Sequence, residues 1–468
     1  MASSDWKGKR RQTTAAFFCG LGSMTVGLMV GWPAAAFPKI LRHETPYHLS
    51  IFNEAFIISC MNIGSIVGTV PASLLMDRIG RRASFLLFSL FAVASWIFVA
   101  YAPTVEMLYC GRLLGGVFVG AYLTILPSYL SETLEPDMRG FLGTSSTLLN
   151  TLGTLMAYGL GPRVSFIDLS LISCCVAIVF IISLIFMPET PYLLVMRKDY
   201  AGARRTLAWL RGTSESDVTD ELTTIQNFIE TEKAKASLTT SDLFFDERYK
   251  WPFVSCVGLL LLQKSSGYFT VIGNQTIILP HHAWIFYSED STLIIGLILV
   301  IMSIVAALLM DALGRKVLLQ ISNVGQASAM LVVGAWYYLS AEQRTELEAY
   351  NYMPLLAVFA YVVAFSMGLG PVPHIYIGEV LPPLVKGRAT GLLVTLAALF
   401  VVSVNEIFAA VTTFADMYVN FLFFGVCSLV GIYYVNGWVI ETRGKTLPEI
   451  QEEFRHRRTM KDGYYILD

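Results

Sequence analysis

Long apolar runs alternate with short polar breaks along most of the chain, and the run lengths decide the reading. Residues 12–38 hold no acid or cation, and charge-poor runs follow at 55–76, 83–103, 113–131, 140–162 and 169–188. Each is close to the ~20 residues that a helix needs to cross ~30 Å of hydrocarbon. A polar interval, 189–250, separates them from six more at 251–279, 291–310, 317–341, 349–378, 389–414 and 417–440. Lys264 interrupts the first of these and Glu406 the fifth. In lipid every backbone polar group must be satisfied internally, so runs of this length predict helices. The pattern predicts an all-α membrane protein of twelve spanning segments. Residues 1–188 would form one six-helix bundle and 251–440 a second, pseudo-symmetric with the first. Residues 189–250 would be a cytosolic helical linker and 441–468 a cytosolic tail. Within the linker, residues 201–212 read as a short amphipathic helix closed by Gly212. Val218, Leu222, Ile225 and Ile229 then recur at helical spacing among acids.

One pattern is written twice. Asp77-Arg78-Ile79-Gly80-Arg81-Arg82 joins segments 2 and 3, and Asp311-Ala312-Leu313-Gly314-Arg315-Lys316 joins segments 8 and 9, 234 residues later, which is half of 468. Each copy holds an acid, a glycine and adjacent cations between two membrane-length runs. Duplication at half-chain spacing points to two homologous membrane halves, a common build of secondary transporters. A second pair accompanies the first. Glu132 ends segment 4 with Arg139 opening segment 5, and Glu379 ends segment 10 with Arg388 opening segment 11. Acids and guanidinium groups at that depth form charge-assisted networks across helix ends. Asp77, Arg78, Gly80, Arg81, Arg82, Glu132 and Arg139 are thus expected to form one conformational switch. Asp311, Gly314, Arg315, Lys316, Glu379 and Arg388 are expected to form its copy. The alternative is that these charges only flank the membrane.

Charge then sets the orientation. With both termini cytosolic, 27 of the 33 Lys and Arg residues fall on the inner side, 4 on the outer side and 2, Arg112 and Lys264, within helices. That is a strong positive-inside bias. Charged residues make up 15% of the chain and hydrophobic ones 55%, against about a quarter charged in a soluble protein. The run at 12–38 exceeds the ~7–15 residue core of a cleaved signal peptide, so it is read as a retained segment 1. The seven cysteines lie in or beside apolar runs and read as core residues rather than a disulfide framework. No CxxC, HExxH, GxGxxG or P-loop pattern is present, so no metal or cofactor is expected and no enzyme chemistry has supporting residues.

At these motifs the chain resembles the sugar porter branch of the major facilitator superfamily. The duplicated Asp-Arg-x-Gly-Arg-Arg turn matches, as do Pro188-Glu189-Thr190-Pro191 and Glu441-Thr442-Arg443-Gly444-Lys445. Gly31-Trp32-Pro33, and Phe365-Ser366-Met367-Gly368-Leu369-Gly370-Pro371 in segment 10, are most similar to invertebrate facilitated trehalose transporters. The resemblance implies a major facilitator fold and facilitative transport of a sugar, trehalose or hexose, by alternating access. It also implies a multi-pass monomer in the plasma membrane, whose partners are a small solute and the bilayer, with no nucleic acid. Segment 1 lacks the acid that proton-coupled porters often carry, which favours uniport. The departures fall where the sugar would sit. Lys264 and Phe269 replace a family glutamine and asparagine, His374 replaces a tryptophan, and segment 11 shows no polar counterpart near 398–400. Candidate solute contacts are Gln263, Lys264, Ser266, Thr147, Asn150 and His374, and the alternative for His374 is a satisfied core residue. Such departures keep two other functions open: a transport-deficient solute sensor, or a carrier of a small anionic or polyol solute held by Lys264.

Other residues have a structural reading beside a functional one. Arg112, beside Gly111, either snorkels to the interface or serves function. Lys264 and Glu406 lie at matching depths, so an internal ion pair competes with a neutral lysine and with a cation facing solute. Asn274-Gln275-Thr276 is a glycosylation sequon too near the membrane to be modified, and Arg455–Arg458 reads as a solvated end. The orientation is testable. A protease site placed at Asn227 stays intact in unpermeabilised cells and is cut after permeabilisation; cleavage in intact cells overturns the topology.

Overall fold

The computed structural model describes residues 2–42, 44–234, 247–278, 282–283, 286–341, 350, 352–381, 383–445, 449–450 and 452–454. It divides into two compact units, Met1–Leu49 with Ile57–Leu238, and Ser50–Phe56 with Thr239–Asp468. The linker helices belong to the first unit and the tail to the second, where the sequence suggested separate segments.

In the first unit, α1 (Ala2–Leu41), α2 (Ile51–Arg78), α3 (Arg81–Ala100), α4 (Val105–Thr133), α5 (Pro136–Leu160) and α6 (Phe166–Ile185) follow the six apolar runs. Small residues bring the backbones together, as close packing within lipid favours. Gly64 and Gly68 of α2 face Gly116 and Gly120 of α4, and a Cβ at Gly116 would run into the α2 backbone. Three cytosolic helices follow: α7 (Pro191–Met196), α8 (Tyr200–Arg211) and α9 (Thr219–Ala234). Gly212 ends α8 in the left-handed conformation. Ala203, Leu207, Val218, Leu222, Ile225 and Ile229 bury one shared apolar core, as the helical spacing predicts.

Residues 2–11 continue α1 ahead of the apolar run that begins at residue 12. One face of this extension docks on α8: Arg11 donates to the Trp209 carbonyl at 2.7 Å, and Gln12 Nε2 to the Leu210 carbonyl at 3.3 Å. Gln12 Oε1 also accepts from the Glu135 N–H at 2.9 Å. These partners, 123 to 198 residues away in sequence, are what carry the helix through a polar stretch.

The second unit holds α10 (Glu247–Ser265), α11 (Tyr268–Gly273), α12 (Gln275–Ile278), α13 (Ser288–Leu313), α14 (Arg315–Ala341), α15 (Met353–Met367), α16 (Val372–Val380), α17 (Pro383–Phe414) and α18 (Met417–Trp438). Two-residue strands β1 (His282–Ala283) and β2 (Phe286–Tyr287) pair antiparallel between α12 and α13, a minor exception to the all-α expectation. Ten helices among the described residues are long and apolar enough to cross a membrane. Outward-facing Ile301, Ile304, Leu308 and Phe414 are exposed, the surface that lipid rather than water would cover.

Segments 7 and 10 are broken rather than continuous. In segment 10, Pro371 lacks an N–H and its ring crowds the carbonyl four residues back, so α15 ends before it and α16 begins after. Other helices satisfy the freed backbone groups. Gln263 Nε2 donates to the carbonyls of Leu369 and Gly370 at 2.8 and 2.9 Å, and the Leu369 N–H donates to Ser322 Oγ at 3.0 Å. Both side chains are buried, so these bonds do not compete with water. In segment 7 the break falls between Ser265 and Tyr268, where Tyr361 donates to the Ser266 carbonyl at 2.8 Å. Ser322→Ala therefore leaves a buried N–H unpaired, at a cost of about 1–3 kcal/mol. A lowered melting temperature in detergent is the expected result; an unchanged one shows that the break is held by other means.

Candidate functional site

Each unit contains one copy of the charged turn, and the two copies make matching contacts. In the first unit α3 starts at Arg81, and no side chain of its own first turn caps its free N–H groups. A remote acid does so instead. Glu189 accepts from the N–H of Arg81 at 3.0 Å and from that of Arg82 at 3.2 Å. In the second unit Glu441 accepts from the N–H of Arg315 at 3.0 Å and of Lys316 at 2.9 Å, at the start of α14. An anion at a helix N-terminus meets both unpaired donors and the positive end of the helix dipole.

The glycines follow from this. Gly80 has φ 111° and Gly314 φ 87°, a region costly for other residues. A Cβ at position 80 would collide with Glu189 Oε2, and one at 314 would sit 2.8 Å from Glu441 Oε2.

The cations divide the remaining work in the same way twice. Arg81 pairs with Glu132 of α4 at 3.0 Å and with Asp77 at 3.2 Å, and donates to the Met76 carbonyl at 3.2 Å. Arg315 pairs with Glu379 of α16 at 2.7 Å and donates to the Met310 carbonyl at 3.3 Å. Arg82 donates to the carbonyls of Leu184 and Ile185 at the end of α6, and Lys316 to that of Asn436 near the end of α18. A cation there complements the negative end of the dipole. Arg197 holds the Arg78 carbonyl at 2.6 Å, and Arg443 holds the Ala312 carbonyl at 2.7 Å. Tyr129, one turn before Glu132, donates to the Pro188 carbonyl, and Tyr376, one turn before Glu379, accepts from the Ile440 N–H. The Arg78 side chain is exposed, and the side chains of Arg139, Asp311 and Arg388 lie outside the described residues.

The sequence reading missed Glu189 and Glu441 as working parts. Their motifs were visible, but a contact across more than a hundred residues leaves no periodic signal.

The candidate solute residues are less uniform. Gln263 is buried and its amide nitrogen is committed to the segment 10 break, while its Oε1 has no hydrogen-bond partner among the described residues. Ser266 donates to the Gln263 carbonyl at 2.9 Å, a local bond of the broken turn. Lys264 Nζ sits 3.9 Å from the centre of the Phe269 ring, a cation–π contact. The ion pair with Glu406, one of the three readings of Lys264, is not formed among the described residues, and Glu406 Oε1 is buried without a hydrogen-bond partner there. Matching depth put both charges at one level, but the facing ring met the lysine first. His374 has an accessible side chain on α16, within electrostatic reach of Lys264. Thr147 is exposed on α5, and Asn150 is tied to the Ser23 carbonyl at 3.3 Å.

Segment 11 does carry a polar residue, Asn405, missed because it lies beyond the expected stretch. It is buried, accepts from Thr270 Oγ1 at 2.5 Å, and leaves Nδ2 unpaired among the described residues. Arg112 is also buried, which overturns snorkelling. It donates to the Met29 carbonyl at 2.9 Å, reaches Met61 Sδ at 3.4 Å and lies 5.1 Å from the Trp32 ring. Asn274 is buried and donates to the Thr270 carbonyl, so its sequon is not presented for modification. Among the described residues no cluster of three or more His, Cys, Asp or Glu side chains could hold a metal ion, and no two cysteines form a disulfide.

Many apolar helices, with charged turns capping their ends, define a multi-pass membrane protein. Residues 13–454 match the family described as "Sugar (and other) transporter", and the chain belongs to that family. It is 30% identical to the facilitated trehalose transporter Tret1 of Apis mellifera ligustica over 445 residues, covering 95% of this chain and 88% of the relative. It is 31% identical to the Tret1-2 homolog of Drosophila simulans over 448 residues, covering 95% and 91%. Among solved structures it is similar to the proton:xylose symporter XylE bound to 6-bromo-6-deoxy-D-glucose, with a TM-score of 0.75 at 21% identity over 95% of this chain and 100% of that one. The inward-open xylose transporter XylE from E. coli gives 0.74 at 22% identity, covering 94% and 99%. At this identity the likeness shows a shared fold. The chain is a transporter, not an enzyme.

The caps give a pH signature. Burial pushes the Glu441 carboxyl up, but the N–H groups of Lys316, Arg443, Arg315 and Thr442 outweigh it and hold it below the usual range. A depressed folded value means a stabilisation that is complete above the ordinary glutamate pKa of about 4.3 and lost as pH falls through the lower folded value. Glu441→Gln should lower the melting temperature at neutral pH and flatten its decline on acidification. Parallel melting curves for wild type and variant across that window would exclude the role.

Proposed function

We propose that the chain carries a sugar, trehalose or a hexose, down its gradient by alternating access, as twelve helices in two pseudo-symmetric bundles. It works as a monomer in the plasma membrane with both termini cytosolic. The observation that carries this reading is the duplicated latch: an acid-capped helix start, a partly buried Arg–Glu pair and a cation on a helix end, built once in each unit. A structure made twice with the same bonds is suited to a two-state device in which both copies loosen or tighten together. The latches close the cytosolic side, because the cations of both turns fall on the side that the positive-inside bias assigns to the cytosol. The sugar class is supported by family membership and by the trehalose transporters among the relatives.

Uniport is supported by α1, which has no acid between residues 12 and 38. Where Arg112 meets α1 it finds the Met29 carbonyl, a group that does not titrate. A coupled carrier needs a side chain that binds and releases its ion, and an intramembrane acid is the usual one. The solute-facing residues under this reading are Gln263, Lys264, Ser266 and His374, with Thr147 and Asn150 on α5.

Purified chain in liposomes should take up radiolabelled trehalose or glucose until the gradient is gone, with no added accumulation under an inward proton gradient. Accumulation driven by protons refutes uniport, and no flux across a panel of sugars refutes the transport reading. Glu132→Gln with Glu379→Gln should shift the population toward the cytosol-open state by roughly 1–3 kcal/mol, the usual size of a coupling energy. Cysteine labelling from the cytosolic side reads that shift, and unchanged labelling separates the latch from the flux.

A further inference from the structure

Helix α1 is longer than the membrane requires. Its apolar span, Trp6–Leu41, has 36 residues, roughly 54 Å at ~1.5 Å per residue. The hydrocarbon core is ~30 Å thick. The excess lies at the N-terminal end, where Lys7, Lys9, Arg10 and Arg11 are placed.

Two faces of this excess have opposite fates. One docks on α8 through Gly8, Arg11 and Gln12. The other is a shallow furrow lined by Trp6, Lys9, Arg10, Thr13, Thr14 and Phe17. Trp6 is 63% exposed and Phe17 51%, both costly against water alone. Arg10 lies 5.5 Å from the Trp6 ring, which holds the guanidinium along the furrow. Thr13 and Thr14 turn their hydroxyl hydrogens back to the carbonyls of Lys9 and Arg10, so the floor between the cations and Phe17 is small and low.

Depth identifies the occupant. With Phe17 at the edge of the hydrocarbon, Thr14, Thr13, Arg10 and Lys9 fall roughly 5–12 Å beyond it at ~1.5 Å per residue, the level of lipid headgroups. We propose that this face of α1 is a binding site for an anionic phospholipid: Lys9 and Arg10 take the headgroup phosphate and carboxylate, and Phe17 and the floor take the start of an acyl chain. The cationic charge of this face, from Lys9 and Arg10, is opposite to that of the headgroup. Because the other face of this stretch grips α8, the lipid would also hold the linker helices of the first unit near the membrane surface. The site does not depend on which solute is carried.

The test is binding of fluorescent phosphatidylserine and phosphatidylcholine to the full-length chain in neutral detergent. Phosphatidylserine should bind more tightly, and a tenfold rise in ionic strength should remove most of the difference. Each cation near an anionic lipid surface is worth about fivefold, so Lys9→Gln with Arg10→Gln should weaken phosphatidylserine binding roughly 30-fold and leave phosphatidylcholine unchanged. Arg10→Glu gives a second variant of the same exposed face, expected to abolish the preference. Equal binding of the two lipids by the wild type overturns the proposal, as does a preference that survives both variants. Displacement by soluble glycerophosphoserine at matching concentration also overturns it, because the ligand would then be a free phosphate compound. If both variants fail to fold, the wild-type salt titration decides alone: a preference indifferent to salt refutes the site.

Discussion

A helix that begins with bare N–H groups needs an acceptor, and two helices of this chain borrow theirs from far away. Glu189 closes the start of α3 and Glu441 closes the start of α14. Much of the cytosolic architecture depends on that. The carboxylate fixes where the segment after α6 or α18 must lie, and so where the second cation of each turn finds carbonyls to cap. It also dictates glycine at 80 and 314, because a side chain there would displace the acid. The Arg81–Glu132 and Arg315–Glu379 pairs are then built on a turn already held at both ends. A partly buried ion pair alone is weak support for stability; inside this frame it adds direction.

Much of the fold was legible because membrane spans have a coarse signature. Apolar runs of about 20 residues and the doubled Gly-Arg turn place helices and halves without any knowledge of contacts. The two linker helices were legible too, since Leu222, Ile225 and Ile229 mark one face. What could not be read was whatever depends on distant partners. The α1 extension ahead of residue 12 was not read as helix, because its support, the carbonyls of Trp209 and Leu210, lies 198 residues on. Segment 10 was read as one continuous run, and neither its break nor Gln263 and Ser322 as the support of that break was foreseen.

The candidate solute residues show the same limit at finer scale. Lys264 and Glu406 were placed at one depth by counting residues, but depth gives no azimuth, and Phe269 lies over the ammonium instead. The two departures from the sugar porter pattern, at 264 and 269, touch each other and are best regarded as one change. Asn405 supplies a buried polar group on α17 that counting from the family pattern placed several residues too early.

Gln263 and Lys264 are neighbours with unlike obligations. Gln263 is anchored to the backbone carbonyls of Leu369 and Gly370 in the segment 10 break, which no side-chain substitution there removes, whereas Lys264 and Phe269 answer chiefly to each other. A lineage could therefore exchange the lysine–phenylalanine pair for other side chains, and with it the chemical taste of the wall, while the mechanical joint one residue away stayed as it was. Under the proposed function, selectivity and movement are separately heritable in this helix, so a carrier could change its cargo without relearning how to open.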